Sequence, residues 1–311
     1  MYRKNTFKEI CSEVIIEPWE FGEPEPESTV DLSEFNVLYT MGLHDNLNIL
    51  KKASKIKWIH SDSAGVEAML NEDIQNSDVT ITNVKGCTSV PIAEHTIAML
   101  SSLARGVPTI IRNQINKNWM EIPVIYIEKS TVGIIGYVHI GFEIAKRCKA
   151  LGMRVIGCRR NPDKKNKEYE PADLIMGMDQ VDEVLSQSDF IVLALPFTKE
   201  TSNFLNKERL NKMKKGSYLV NVGRGNTIVD GDLIECLSNG HIAGAALDVF
   251  EVEPLPKDHP FWQLENVIVS PHNAYNSSKH LDRVMELFLQ NLKLFSDGKP
   301  LMNVVEKKLG Y

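Results

Sequence analysis

The chain has 311 residues, of which 43% are hydrophobic and 24% charged, enough apolar material for a sizeable core and too much for widespread disorder. Its 35 Lys and Arg stand against 41 Asp and Glu, and the net charge of −6 lacks the broad positive field that nucleic acid or an anionic membrane surface demands. Two domains of ordinary size suit this length better than one.

Residues 23–27 (EPEPE) read as a charged, proline-punctuated connector. Residues 36–40 (NVLYT) and 56–60 (IKWIH) have the short apolar character of strands, with a helical stretch over 46–53 between them, a βαβ rhythm. From Ser89 a Ser-x-Pro-x-x-Glu start precedes Ile92, Ala93, Thr96, Ile97, Leu100 and Leu103. That spacing predicts one long buried helix, placed to carry the chain between domains. Strands follow at 132–135, 155–158, 190–195, 218–222, 245–249 and 267–269. Helical patterns lie between them: Ile140, Ile144, Cys148 and Leu151, then 181–185, 207–213 and 231–237. Strands apolar on both faces and separated by helices imply a parallel sheet covered on each side, the α/β doubly wound arrangement. Leu281, Val284, Met285, Phe288 and Leu292 predict a last amphipathic helix, after which a short tail returns to the first domain.

No apolar run reaches the roughly 20 residues of a membrane helix. The N-terminal MYRKNTFKEI has no apolar stretch behind its basic residues, so a secretory signal is not expected and the expected location is the cytoplasm. Cys11, Cys87, Cys148, Cys158 and Cys236 are odd in number and widely spaced, and read as small buried hydrophobes rather than a disulfide framework or a zinc site.

The run 131–141, TVGIIGYVHIG, turns from a strand into a helix as a dinucleotide-binding fingerprint requires. In the G-x-G-x-x-G frame Gly136 makes the tight turn and Gly141 lets helix and strand pack closely. Val138 stands where a second glycine would let the backbone approach the pyrophosphate at the helix N-terminus. A β-branched side chain there either pushes the phosphates away or requires a shifted loop; otherwise the two glycines serve only a tight turn. His139 and Ile140 complete the candidate phosphate loop. About twenty residues further on, where an NAD-selective site places an acidic residue, come Arg159 and Arg160. Unless they are solvated surface charges, two guanidiniums suit an adenosine 2′-phosphate through charge-assisted hydrogen bonds. This favours NADP(H) as cofactor, with NAD(H) as the alternative.

Three further segments begin at the ends of predicted parallel strands: 221–225 (NVGRG), 246–255 (ALDVFEVEPL) and 270–274 (SPHNA). The carboxyl edge of an open α/β sheet is where ligands bind, so an Arg, a Glu and a His are expected to converge there. Together with 63–67 (SAGVE), 91–96 (PIAEHT), the nucleotide loop and 195–201 (LPFTKET), their order and spacing closely resemble the D-2-hydroxyacid dehydrogenase family over most of the chain. The resemblance implies Arg224, Glu253 and His272 as the catalytic set. It also implies a Rossmann-type nucleotide-binding domain (102–275) inserted in a flavodoxin-like substrate domain (1–101 and 276–311), each a doubly wound parallel sheet. The active site is then expected in the cleft between them, and a homodimer through the nucleotide-binding domains. Thr96, Leu195, Pro196, Thr201, Val222, Gly223 and Asp248 join the cofactor candidates, Asp248 as the residue that engages the nicotinamide carboxamide. The backbone amides of Ala64 and Gly65 are implied as a second anchor for the substrate carboxylate.

These residue types fit the chemistry. Hydride delivery to a 2-oxo acid builds negative charge on the carbonyl oxygen, which calls for a proton donor and a fixed cation beside it. Imidazole titrates near neutral pH, so His272 suits the acid in reduction and the base in oxidation. Glu253 orients that ring and stabilises imidazolium, while Arg224 grips the substrate carboxylate and polarises the carbonyl. His95 reads as a packing or hydrogen-bonding residue. No His and carboxylate cluster has metal-ligand spacing, and metal-free catalysis is expected.

The expected function is NAD(P)-dependent reduction of a small 2-oxo acid such as glyoxylate, hydroxypyruvate or pyruvate. A second reading is a dinucleotide-sensing binding protein of the same fold without turnover, similar to corepressors related to the family, and Val138 is its support. Formate dehydrogenases, which resemble this family, carry Gln where Glu253 stands. A phosphoglycerate dehydrogenase is disfavoured because the sequence ends at Tyr311, without room for the added regulatory domain found in many of them.

Overall fold

The computed structural model describes Phe7, Ile10, Cys11 and residues 13–15, 31–40, 49–66, 69–163 and 169–308; the connector at 23–27, Glu67 and the start of the helical stretch at 46–48 lie outside them. The chain forms two compact units, one of Met1–Cys87 with Ser278–Tyr311 and one of Thr88–Ser277. The first crossing therefore falls after Cys87 and not after residue 101. Its physical cause is the helix Ser89–Ala104, which buries Ile92, Ala93, Leu100 and Leu103 in the second unit's core beside Val132, Ile134 and Val192.

In the first unit β1 (Val37–Thr40), α1 (Ile49–Lys52), β2 (Trp58–Ser61), α2 (Glu72–Gln75) and β3 (Thr80–Thr82) build a parallel sheet in the order β1-β2-β3. Val37 lies opposite Trp58, and Trp58 opposite Thr80. One face buries Ile59, Ile74 and Ile81 with Val305 of the returning tail, and the C-terminal helix His280–Ser296 lays Phe288 and Leu292 against Trp58. Asn71 caps α2 by accepting the Ile74 N–H at 2.9 Å.

His60, fully buried in β2, sits among the rings of Tyr39, Trp58 and Phe288 at 5.7, 5.9 and 5.2 Å between centroids. Its Nδ1 is 2.7 Å from Thr82 Oγ1, which also accepts the Trp58 indole N–H. Burial pushes the His60 pKa from 6.5 down to about 4. As pH falls through 6.5 the unfolded chain takes up a proton that the folded chain refuses until about 4. Stability present above that window is lost across it, by up to about 3 kcal/mol. His60→Gln should shrink the difference between urea midpoints measured at about pH 7 and about pH 4.5; an undiminished difference would show that other groups carry it.

The second unit opens with α3 (Ser89–Ala104) and α4 (Val107–Ile115). The alternating part follows: β4 (Thr131–Ile135), α5 (His139–Ala150), β5 (Arg154–Cys158), β6 (Leu174–Met176), α6 (Val181–Gln187), β7 (Phe190–Leu193), α7 (Lys207–Lys212), β8 (Ser217–Asn221), α8 (Asp230–Ser238), β9 (Ile242–Leu247) and β10 (Val267–Val269). All seven strands are parallel, in the order β10-β9-β8-β7-β4-β5-β6. From β4 the chain steps outward through β5 and β6, then returns to β7 and steps outward the other way. This reversal opens a crevice at the carboxyl ends of β4 and β7, the ligand position of a Rossmann fold.

Successive side chains of each strand face opposite layers. Ile135, Leu193, Leu219 and Leu247 pack with Val184, Leu210 and Leu233 from α6, α7 and α8. Ile134, Val192, Val220 and Ala246 pack with Leu100 of α3 and Ile144 and Cys148 of α5. Every residue of β4 and β7 is buried, which is why these strands read as apolar on both faces; each fully buried Ile, Val or Leu contributes about 1.5–3 kcal/mol. All five cysteines are free, with Cys148, Cys158 and Cys236 buried and Cys11 and Cys87 half-buried. Among the described residues no helix is long and apolar enough to cross a membrane.

Candidate active site

The dinucleotide turn closes two strand ends on each other. Gly136 has φ 95°, and a Cβ there would stand 2.5 Å from the Ala194 carbonyl oxygen just beyond β7, so only glycine fits. Val138 precedes α5 with φ −130°, a value open to any L residue, and its side chain is 51% exposed. The turn itself therefore has no need of glycine at that position, and the extra bulk lies outward. His139 and Ile140 begin α5, with Gly141 buried behind them. The first N–H groups of a helix have no acceptor within it and point outward, a seat suited to an anion. Tyr137, which the motif treats as any residue, is fully buried; its ring lies against Gly157 of β5 and its hydroxyl hydrogen-bonds Glu170.

Arg159 and Arg160 follow β5, the strand end expected to take the adenosine ribose. Arg159 is 8% exposed, with its guanidinium 5.5 Å from the centre of the Tyr137 ring and donating to the Pro162 carbonyl at 3.3 Å. Arg160 is exposed and ion-paired with Glu200, a pair that water holds to little value. Beyond β7, Leu195 and Pro196 lead into a loop folded by Thr201, whose Oγ1 donates to the Pro196 carbonyl at 2.7 Å and accepts the Thr198 N–H at 2.8 Å. Val222 and Gly223 follow β8, the Gly223 N–H donating to Asn221 Oδ1 at 3.0 Å. Thr96 is buried within α3, its hydroxyl donating to the Ile92 carbonyl at 2.7 Å.

The ends of β8, β9 and β10 bring the Arg, Glu and His together. Arg224 Nη1 donates to the Gly223 carbonyl at 2.8 Å, and the Arg224 carbonyl accepts Asn221 Nδ2 at 3.0 Å and Thr227 Oγ1 at 2.6 Å. A Cβ on Gly225 would come within 1.8 Å of the Phe250 carbonyl carbon, so this loop lies directly against the one carrying Glu253. Glu253 Oε1 accepts the Phe250 N–H at 2.9 Å, and Oε2 stands 2.7 Å from His272 Nδ1. Burial raises the Glu253 pKa, but the hydrogen bonds from His272 and Phe250 and the charges of His272 and Arg224 outweigh it and hold the carboxyl below its ordinary range. An ionised Glu253 fixes the proton of His272 on Nδ1, leaving Nε2 to give or take the other.

His272 has φ 51°, a left-handed backbone that costs a non-glycine residue free energy. Asp248, 3% exposed at the end of β9, holds it there. Its Oδ1 accepts Ser270 Oγ at 2.5 Å and the Asn273 N–H at 2.9 Å, and Oδ2 accepts the Ala274 N–H at 3.0 Å. The loop is thus tied on both sides of the imidazole, and Tyr275 meets that ring edge-on at 6.2 Å between centroids. Sequence reasoning placed Asp248 near the nicotinamide and missed this clasp, as it missed Ser270 and Asn221; the only signal was their presence inside the quoted segments. Ala64 and Gly65 belong to the other unit, on the loop after β2, where Asn83 Nδ2 donates to the Ala64 carbonyl at 2.7 Å.

The family model for the NAD-binding domain of D-isomer specific 2-hydroxyacid dehydrogenases matches residues 97–274. A hydroxypyruvate reductase of Blautia hydrogenotrophica is 30% identical over 288 residues, 89% of this chain and 86% of that protein. A D-3-phosphoglycerate dehydrogenase of Bacillus subtilis is 34% identical over 260 residues, 83% of this chain but 49% of that longer protein. Among solved structures, the NADPH-dependent glyoxylate/hydroxypyruvate reductase of Sinorhizobium meliloti, in complex with NADP and sulfate, has a TM-score of 0.80 at 28% identity, covering 90% of this chain and 88% of that one.

Proposed function

This chain belongs to the D-isomer specific 2-hydroxyacid dehydrogenases, and on that premise we propose that it reduces a small 2-oxo acid, glyoxylate, hydroxypyruvate or pyruvate, to the D-2-hydroxy acid with NADPH. The observation that carries the proposal is the His272–Glu253 pair at 2.7 Å, within reach of the Arg224 charge and on the same sheet edge as the glycine turn.

The residues present fit a dinucleotide. Gly136, Val138, His139, Ile140 and Gly141 would hold the pyrophosphate, Leu195, Pro196, Thr201 and Thr96 would wall the crevice, and Val222, Gly223 and Asp248 would meet the nicotinamide end. Arg160, now paired with a surface carboxylate, would exchange it for the more highly charged 2′-phosphate, with Arg159 beneath. When bound, the cofactor would supply the hydride chemistry that reduces the substrate carbonyl carbon. As negative charge grows on the carbonyl oxygen, His272 Nε2 delivers a proton to it, and Glu253 stabilises the imidazolium before transfer and fixes the ring afterwards. Arg224 binds the substrate carboxylate and draws charge from the carbonyl.

The test is a panel of the three oxo acids against NADPH and NADH, followed by nicotinamide absorbance. Turnover of at least one acid, faster per unit cofactor with NADPH, is the expected result. Tight cofactor binding without turnover of any acid would instead favour a sensing role.

A second copy of the chain is the proposed partner. In α4 and the segment after it Ile110, Ile111, Ile115, Trp119, Met120 and Tyr126 are all exposed, Trp119 at 101%, a run of large apolar side chains of the kind that a protein partner covers. Wild type should sediment as a dimer and Ile115→Lys/Trp119→Lys as a monomer; a monomeric wild type would sink this assignment.

A further inference from the structure

The chemistry above leaves a half-buried imidazole next to Asp248 without a task. His95 lies in the second turn of α3, and its side chain is 18% exposed. Its Nε2 is covered and makes no hydrogen bond among the described residues, yet it stands 3.5 Å from Oδ1 of Asp248. A covered polar nitrogen is costly when it faces nothing and cheap when it faces a carboxylate. The carboxylate it faces is the one that grips Ser270, Asn273 and Ala274 and so fixes the left-handed His272 between them.

We propose that His95 is a positioning residue for the reaction: from α3 it steadies the Asp248 carboxylate, and through Asp248 it sets the 270–274 loop that presents His272 to Glu253 and to the substrate. Asp248 has two neighbours on Oδ1 and one on Oδ2 from that single loop. The backbone on either side is already tied to the sheet, the Asp248 N–H to the Asn221 carbonyl and the Ser270 N–H to the Leu247 carbonyl; among the described residues, His95 is the side chain that approaches the Asp248 carboxylate from another element, and it braces that carboxylate from α3. A misplacement of about 1 Å at a reacting group costs on the order of a hundredfold in rate, so a small drift of the loop suffices for a kinetic effect.

The kinetic arm of the test rests on the oxo-acid reading. His95→Ala, or His95→Phe if the alanine chain does not fold, should lower kcat for reduction by about ten- to a hundredfold. KM for the acid and Kd for NADPH should change less than about threefold, and the alkaline limb of the kcat/KM profile should move. His95→Gln, which keeps an N–H donor, should regain most of the rate. If Ala, Phe and Gln all keep wild-type kcat and pH profile and lose only thermal stability, His95 merely packs and the proposal fails. It fails equally if Gln rescues no better than Phe, or if the loss lies in KM or Kd. A second arm needs no substrate: the His272 ring resonances, assigned by their loss in His272→Gln, should broaden or split in His95→Ala and stay single in His95→Gln. Unchanged resonances in His95→Ala overturn the proposal even if wild type reduces none of the acids, a result that would by itself refute only the oxo-acid reading.

Discussion

His272→Gln is expected to lower kcat/KM for oxo-acid reduction by about 10²–10⁴, the usual contribution of a positioned general acid, with NADPH affinity kept within about twofold. Gln fills much of the same space but has no proton of suitable acidity to give. Glu253 then loses the hydrogen bond and the charge that help hold its carboxyl below the ordinary range, so its pKa should rise toward that range. The loss should appear in kcat, because the proton is needed as charge develops and not when the acid binds. Stopped-flow single-turnover rates with saturating NADPH measure it directly; a variant within tenfold of wild type would remove His272 from the chemistry.

Replacing Arg224 by Gln should cost about 10²–10³ in kcat/KM, divided between KM and kcat, since one guanidinium is asked both to bind the carboxylate and to stabilise the developing oxyanion. Arg224→Lys should recover little of this, because a point charge on a flexible stem cannot reproduce the planar fork. The substitution also has a signature in pH. Arg224 is one of the charges that keep the Glu253 pKa low, so removing it raises that pKa, and loss of activity on the acid side should begin at higher pH in Arg224→Gln than in wild type. An acid limb that does not move would mean that the two groups do not sense one another.

Much of this arrangement was legible because the strands that position the site are buried on both faces. The apolar runs at β4, β5, β7 and β8 read as buried strands of one parallel sheet, and an Arg, a Glu and a His that follow β8, β9 and β10 share its carboxyl edge. Shorter or less apolar elements escaped. β3 and β6 have three residues each, and β9 begins at Ile242 because Ala243 and Gly244, which resemble a loop, extend a strand that pairs closely with β8. α4 was missed because its isoleucines are exposed and so give no core-facing period. The crossing at Cys87 depends on which core α3 chooses, a matter of tertiary packing that no local pattern carries. The clasp of Asp248 on 270–274 and the tie from Tyr137 to Glu170 likewise join residues distant in the chain, and no spacing rule announces them.

The central claim is that His272 exchanges a proton with the substrate oxygen in the same step that moves the hydride. Its most direct test is the pH dependence of kcat/KM for wild type in both directions, oxo acid with NADPH and D-hydroxy acid with NADP. Reduction should fall as pH rises and oxidation should fall as pH drops, both governed by one apparent ionisation that His272→Gln abolishes. Reduction that does not fall as pH rises, oxidation that does not fall as pH drops, or limbs that persist unchanged in His272→Gln would contradict it.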